Sequence, residues 1–119
     1  MHFQLVYVAE AHASDEWPVG GPCAQAQPAT TAERAAVAAA RLEELGLGAL
    51  PPALADTAPR EAFQELYACW PLRWYFLDGH TLTHIAQPHP GGRYDLNEIV
   101  TWLAATRACR LRAEGLLES

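Results

Sequence analysis

The sequence predicts an α/β fold in which helices pack on a mixed sheet of about four strands. Three patterns support this prediction. Residues 3–9 form an almost wholly apolar run that contains Val and Tyr, which fits a strand covered on both faces. Residues 30–33 read Thr-Thr-Ala-Glu, a capping-box pattern that begins a helix. Asp78-Gly79 lies between two strand-like runs, as at the centre of a β-hairpin.

Glycine and proline set the boundaries of the elements in the first part of the chain. The helix that begins after residue 30 has a ready stop at Gly46. Pro51-Pro52 cannot donate hydrogen bonds to a sheet, so residues 53–55 are expected to form only a short edge strand. Pro59 suits the first turn of a second helix, which Pro71 prevents from continuing.

A hairpin and a last helix are predicted in the second part. The hairpin strands are residues 73–77 and 80–86, joined by Asp78-Gly79 in a type I′ turn. Asp95 caps the last helix, and Glu98 stands at the capping-box position three residues later. The predicted apolar stripe of this helix consists of Leu96, Ile99, Val100, Leu103 and Leu111.

Length and charge limit the classes of function. The 119 residues are expected to form one domain over 1–119 with a small core. The net charge is −6 and the eight basic residues are all Arg without a basic patch, so we expect no nucleic-acid partner. Residues 3–9 are too few to span a membrane and lack the basic start of a signal peptide. We therefore expect no membrane association and a cytoplasmic location.

The spacing of cysteine and histidine argues against disulfides and metal. Cys23, Cys69 and Cys109 are odd in number and widely spaced, which is not a disulfide framework. Cys23 lies in a Gly/Pro-rich loop, where an exposed thiol is expected. His80 and His84 would be roughly 13 Å apart along a strand, too far to bind one ion. We expect no metal and no other cofactor.

Residues 7–17 carry a resemblance to a known family. They read Y-V-A-E-A-H-A-S-D-E-W and resemble the V-Y-I-E-E-A-H-x-S-D-G-W segment of the iodothyronine deiodinases. Those enzymes are reductive dehalogenases with a thioredoxin fold, related to peroxiredoxins. Weaker similarity continues to about Leu103 through residues 55–57, 66–68 and 74–79. The resemblance implies that this chain has a thioredoxin-like fold.

The chain departs from that family in its nucleophile. The family's selenocysteine or cysteine lies on a strand–loop–helix unit before this motif, whereas Met1 stands directly before it here. We expect a truncated thioredoxin-like domain that cannot deiodinate or reduce peroxide by itself. A second family histidine is also missing, because that region reads Gln25-Ala26-Gln27-Pro28. The lost strand would leave open sheet edges, which predicts a homodimer unless the two halves pair directly.

The candidate catalytic residues are Glu10 and His12. In the deiodinases the matching residues belong to the active site and support proton delivery and substrate binding. Their spacing of two places both side chains on one side of an extended segment, as a general acid–base pair requires. The alternative is a glutamate that caps a turn and a structural histidine.

The candidate substrate-binding residues lie at the first strand and after the hairpin. They are Tyr7, Trp17, His84, His89 and Arg93. By resemblance, Arg93 corresponds to the arginine that clamps a substrate carboxylate, a geometry that suits the guanidinium. A solvated loop arginine is the alternative, and Trp17 is otherwise a core residue.

The leading functional hypothesis is a repurposed enzyme that acts on a small aromatic or carboxylate-bearing molecule. Its reaction would be a non-redox proton transfer by Glu10 and His12, such as isomerisation, elimination or cyclisation. One alternative is a thiol-dependent oxidoreductase that uses Cys23 or a thiol of a partner chain. Another is a non-catalytic binding protein whose open sheet edge docks a partner.

Overall fold

The computed structural model describes residues 2–21 and 25–116. Cys23, the candidate redox thiol, lies outside these ranges. The chain divides into two compact units, Met1–Leu72 and Arg73–Ser119, named unit 1 and unit 2 below. The elements of unit 1 are β1 (Val6–Tyr7), α1 (Thr31–Glu44), β2 (Leu54–Ala55) and α2 (Ala62–Tyr67). The elements of unit 2 are β3 (Trp74–Asp78), β4 (Thr81–Ala86) and α3 (Leu96–Ala113).

The α/β class is confirmed, but the single sheet of about four strands is wrong. The described strands form two sheets of two strands each, with β1 parallel to β2 and β3 antiparallel to β4. The first strand covers only Val6 and Tyr7 rather than residues 3–9. Pro51 and Pro52 cannot donate hydrogen bonds, so the partner strand begins only after them. Two hydrogen bonds join the strands: Leu54 N donates to Leu5 O and Asp56 N donates to Tyr7 O, each at 2.9 Å.

The first helix forms as its cap signals predict. Thr30 and Glu33 exchange side chain–backbone hydrogen bonds in a capping box. At the other end, Gly46 has a φ of 69° and its N–H bonds Glu43 O, while Leu47 N bonds Leu42 O. These two bonds close the helix in a Schellman motif, which is why a glycine is needed there. The helix contacts both β1 and β2, and its Ala38 is buried.

Asp56 determines where the second helix begins. This carboxylate is only 3% exposed and follows β2 directly. Its Oδ1 accepts hydrogen bonds from Thr57 N and Phe63 N, and its Oδ2 accepts one from Gln64 N. The helix therefore begins at Ala62 rather than at Pro59, because the N–H groups of Phe63 and Gln64 in its first turn are held by a carboxylate seven and eight residues upstream.

The hairpin of unit 2 forms with a different turn from the predicted one. The strands pair Asp78 with Thr81, so the two loop residues are Gly79 and His80 rather than Asp78-Gly79. Within the described residues only Gly79 of this loop has a positive φ, 57°, whereas a type I′ turn needs positive φ at both positions. The register shifts between Phe76 and Leu77, which accommodates the displaced turn.

The last helix begins as predicted but buries a narrower stripe. The Oδ1 of Asp95 accepts a hydrogen bond from Asn97 N and caps α3. Ile99 is buried, whereas Leu96 and Val100 are more than 60% exposed, so the predicted five-residue stripe is wrong in these two members. Trp102 packs on Phe76 of the hairpin with ring centroids 4.2 Å apart, and this contact selects the face of the helix that is covered. None of the helices in the described part of the chain is long and apolar enough to cross a bilayer.

Candidate functional site

The segment after β1 folds into a tight turn around Ala13. The N–H groups of Glu16 and Trp17 both bond Ala13 O, at 3.2 and 3.1 Å, and Ala13 itself is 1% exposed. Ser14 N bonds Gln25 O at 2.8 Å, which ties the turn to the later segment that leads into α1. The polar residues that follow β1 therefore lie on a turn that a backbone hydrogen bond fixes to the segment before α1.

Gln27 holds the backbone of Glu10 in place. Its side-chain Oε1 accepts the N–H of Glu10 at 2.9 Å, and its Nε2 donates to the carbonyl of Glu10 at 3.2 Å. One amide side chain thus imitates the pairing of a neighbouring strand at the point where β1 ends. Gln27 also donates its backbone N–H to Asp15 Oδ1 and its Nε2 to Glu16 Oε2. A single residue therefore connects three acidic residues of the motif.

Gln25 positions the carboxylate of Glu10. Its Nε2 donates to Glu10 Oε1 at 2.9 Å and lies 3.5 Å from the hydroxyl of Tyr7. Among the described residues, the hydrogen bonds of this carboxylate use Oε1 alone. The structure thus brings Tyr7 and Glu10 together through a glutamine that sequence reasoning did not select.

An open cleft of about 400 Å³ lies at the end of β1, entirely within unit 1. Its walls combine three carboxylates, two amides and two indoles with a short stretch of small residues. The lining residues are Ala9, Glu10, Ala11, Glu16, Trp17, Gln27, Glu61, Gln64 and Trp70. We name this feature the β1 cleft. Its volume falls in the range of about 300–1,000 Å³ that small-molecule sites occupy.

Glu61 differs from the other carboxylates of the β1 cleft because it has a cationic neighbour. Arg34 Nη2 lies 3.6 Å from Glu61 Oε1, and Arg34 is 1% exposed. Arg34 Nη1 also donates to Thr57 O at 3.0 Å, so α1 and the segment before α2 are joined through this side chain. The second oxygen of Glu61 accepts a hydrogen bond from Gln64 Nε2 at 3.0 Å.

His12 lies beside the β1 cleft rather than in its wall. Its ring is 5.0 Å from that of Trp17, centroid to centroid, and the residue is exposed. Within the described residues, no hydrogen bond or ion pair joins His12 to Glu10. The two candidate catalytic residues therefore share a turn, and the direct contact of His12 is with Trp17.

Two of the three candidate residues of unit 2, His84 and His89, contact Glu98. His84 Nε2 lies 3.0 Å from Glu98 Oε1, and His89 Nε2 lies 3.8 Å from Glu98 Oε2. The ring of His84 also stacks on Trp102, with planes 11° apart. The predicted capping-box role of Glu98 is therefore replaced by a carboxylate shared between two imidazoles. Arg93 is exposed, and its carbonyl accepts the N–H of His89 at 2.9 Å.

Two observations in the described ranges concern metal ligands and thiols. No group of three or more His, Cys, Asp or Glu side chains there could hold a metal ion. Cys69 is buried and Cys109 is exposed, and both are reduced thiols.

Sequence reasoning missed the residues that complete the site. They are Gln25, Gln27, Glu16, Glu61, Gln64 and Trp70. One signal was available for the two glutamines. They stand two residues apart in an extended segment before Pro28, the same spacing that drew attention to Glu10 and His12. Glu61 and Trp70 are distant in sequence and carried no such pattern.

Comparisons with known proteins identify no relative of this chain. No protein-family model, curated protein sequence or solved structure matches the chain. The resemblance to the deiodinases therefore stays a hypothesis carried by residues 7–17.

Proposed function

We propose that the chain is a small-molecule enzyme that catalyses a non-redox proton transfer in the β1 cleft. Glu10 is the group that takes and returns the proton. The observation that carries this proposal is the double restraint on Glu10: Gln27 holds its backbone and Gln25 holds its carboxylate. General acid–base catalysis requires a carboxylate fixed in this way against the space where a substrate lies.

The free oxygen of Glu10 is the reactive atom in this proposal. Hydrogen bonds within the described residues engage Oε1, so Oε2 keeps its capacity to accept a proton. The carboxylate lines the β1 cleft, which is large enough for a small molecule. The reaction class is isomerisation, elimination or cyclisation, because each moves a proton without net oxidation or reduction.

His12 and Tyr7 have supporting roles. His12 is exposed and lies against Trp17, a wall of the β1 cleft, so we assign it the exchange of the proton with solvent. Tyr7 acts on Glu10 indirectly, because its hydroxyl and the carboxylate face the same amide nitrogen of Gln25. The resemblance to the deiodinases supports a role in proton delivery for Glu10 and His12.

A generic elimination substrate tests the proposal without knowledge of the natural substrate. When a base removes the carbon-bound proton of nitrobenzisoxazole, the N–O bond breaks and its electrons go to the oxygen, which yields a coloured cyanonitrophenolate. We expect Glu10→Gln to lower the rate of this reaction by about a hundredfold or more, because the base is lost while its size is kept. Glu44→Gln is the matched control, since Glu44 is an exposed carboxylate on α1.

The outcome is read together with stability. The melting temperature of Glu10→Gln should stay close to that of the unaltered chain. A well-folded Glu10→Gln variant that eliminates nitrobenzisoxazole as fast as Glu44→Gln would show that Glu10 is not the base.

A further inference from the structure

We infer that the β1 cleft binds a small organic cation, an ammonium group carried on an aromatic or apolar body. This inference rests on the proposed function and names the ligand class of the same cleft. It differs from the expectation of a carboxylate-bearing substrate, which depended on Arg93 in unit 2. Three features of the cleft lead to it: its charge, its indole walls and the chemistry of its acceptors.

The carboxylates of the cleft are only partly neutralised. Glu10 and Glu16 receive hydrogen bonds from neutral amides, those of Gln25 and Gln27. Glu61 alone has a cation, Arg34, which is buried and does not line the cleft. No Arg or His stands among the described lining residues. A ligand with a negative charge would therefore be repelled, and one with a positive charge attracted.

The indoles provide the second feature. Trp17 is 61% exposed and Trp70 is 38% exposed, although both are large apolar side chains that a small domain normally covers. Both line the same cleft as the carboxylates. An indole face attracts an ammonium group by the cation–π interaction and also covers an apolar body. The contact of His12 with Trp17 helps to hold one of the two walls.

Gln64 provides the third feature. Its Nε2 donates to Glu61, while its Oε1 is buried and has no hydrogen-bond partner among the described residues. Because this oxygen is buried, a ligand N–H group in the cleft pairs with it only after the Gln64 side chain turns. A buried acceptor without a donor is costly, so a ligand that supplies one is favoured. A metal ion is a poorer fit, because the described carboxylates do not form a group that could hold one.

Three probes with the same apolar body and different charge test the inference. They are phenethylammonium, the neutral phenylethanol and the anionic phenylpropanoate. Binding is followed by the NMR signals of the indole N–H groups of the four tryptophans. Trp17 and Trp70 report on the cleft, whereas Trp74 and Trp102 belong to unit 2 and serve as an internal control.

We expect phenethylammonium to shift the signals of Trp17 and Trp70 and to bind about tenfold more tightly than phenylethanol. Phenylpropanoate should bind more weakly than either. Added salt should weaken the binding of phenethylammonium and leave that of phenylethanol unchanged, because only the charged probe is screened. Glu16→Gln should reduce the affinity for phenethylammonium by about fivefold, and the control Glu44→Gln should not.

Two results would overturn the inference. One is equal or tighter binding of the neutral or anionic probe at Trp17 and Trp70, which would leave the cleft as a binding site and the proposed function intact. The other is that phenethylammonium shifts neither signal or shifts only those of Trp74 and Trp102. Conversely, a cation that binds in the cleft while Glu10→Gln keeps its elimination rate would refute the proposed function alone.

Discussion

Glu10 in unit 1 and Glu98 in unit 2 differ in how completely their carboxylate oxygens are used. In unit 2, Glu98 faces an imidazole at each oxygen, His84 at 3.0 Å and His89 at 3.8 Å. In unit 1, the described hydrogen bonds of Glu10 engage one oxygen, and the partner is a neutral amide. Both residues are glutamates, so the difference lies in their partners rather than in their type.

This difference separates a carboxylate that holds the fold from one that is available to a ligand. The two imidazoles of Glu98 come from β4 and the loop after it, while Glu98 belongs to the first turn of α3. Glu98 therefore fastens three segments of unit 2 to each other. Glu10 is itself held by two glutamines, and its remaining oxygen serves no described contact. The candidate site residue is therefore the glutamate whose carboxylate keeps a hydrogen-bond acceptor that no described neighbour uses.

The largest expected effect concerns two aspartates that cap helices, one in each unit. Asp56 is buried and accepts three backbone N–H groups in unit 1, whereas Asp95 is exposed and its side chain accepts one in unit 2. We expect Asp56→Ala to lower the free energy of unfolding by about 3 kcal/mol or more, because three backbone N–H groups lose a buried acceptor. Asp95→Ala should cost about 1 kcal/mol, as for an ordinary helix cap.

Urea unfolding of the two variants measures this contrast. Asp56→Asn adds a control that keeps the size and one oxygen of the side chain, and it should lie between the two alanine variants. Equal losses for Asp56→Ala and Asp95→Ala would mean that burial of the Asp56 carboxylate does not matter to the stability of unit 1.

A smaller effect is expected for Glu98. Its side chain is 34% exposed, so solvent weakens its interactions with His84 and His89. We expect Glu98→Ala to lower the free energy of unfolding by about 1 kcal/mol and to increase amide hydrogen exchange in β4 and the first turn of α3. Glu114→Ala, just beyond α3, is the matched control. Unchanged exchange in β4 would show that the shared carboxylate does not fasten these segments.

Local signals in the sequence were sufficient where the residues that interact are close along the chain. Thr30 and Glu33 predicted the start of α1, and Gly46 its end, because caps involve neighbours within a few residues. The hairpin was also found, but its turn was displaced by one residue. Gly79 alone supplies the positive φ in that loop, and a register shift follows at Phe76.

Interactions between distant residues were not visible in the sequence. The extent of β1 was overestimated because its length depends on Pro51-Pro52, about 45 residues later. Of the residues predicted for the site, Glu10 and Trp17 line the β1 cleft. Glu61 reaches the same cleft because Asp56 and Arg34 position its segment. No local sequence pattern indicates such a contact.

Among the described contacts, Glu10 keeps one carboxylate oxygen that can accept a proton, whereas both oxygens of Glu98 face imidazoles. The most direct test is the rate of nitrobenzisoxazole elimination by Glu10→Gln and Glu98→Gln in parallel, each divided by its folded fraction. We predict that the elimination rate of Glu10→Gln falls by about a hundredfold or more and that Glu98→Gln keeps the rate of the unaltered chain. A normal rate in Glu10→Gln together with a large loss in Glu98→Gln would contradict it and would move the reactive carboxylate to unit 2.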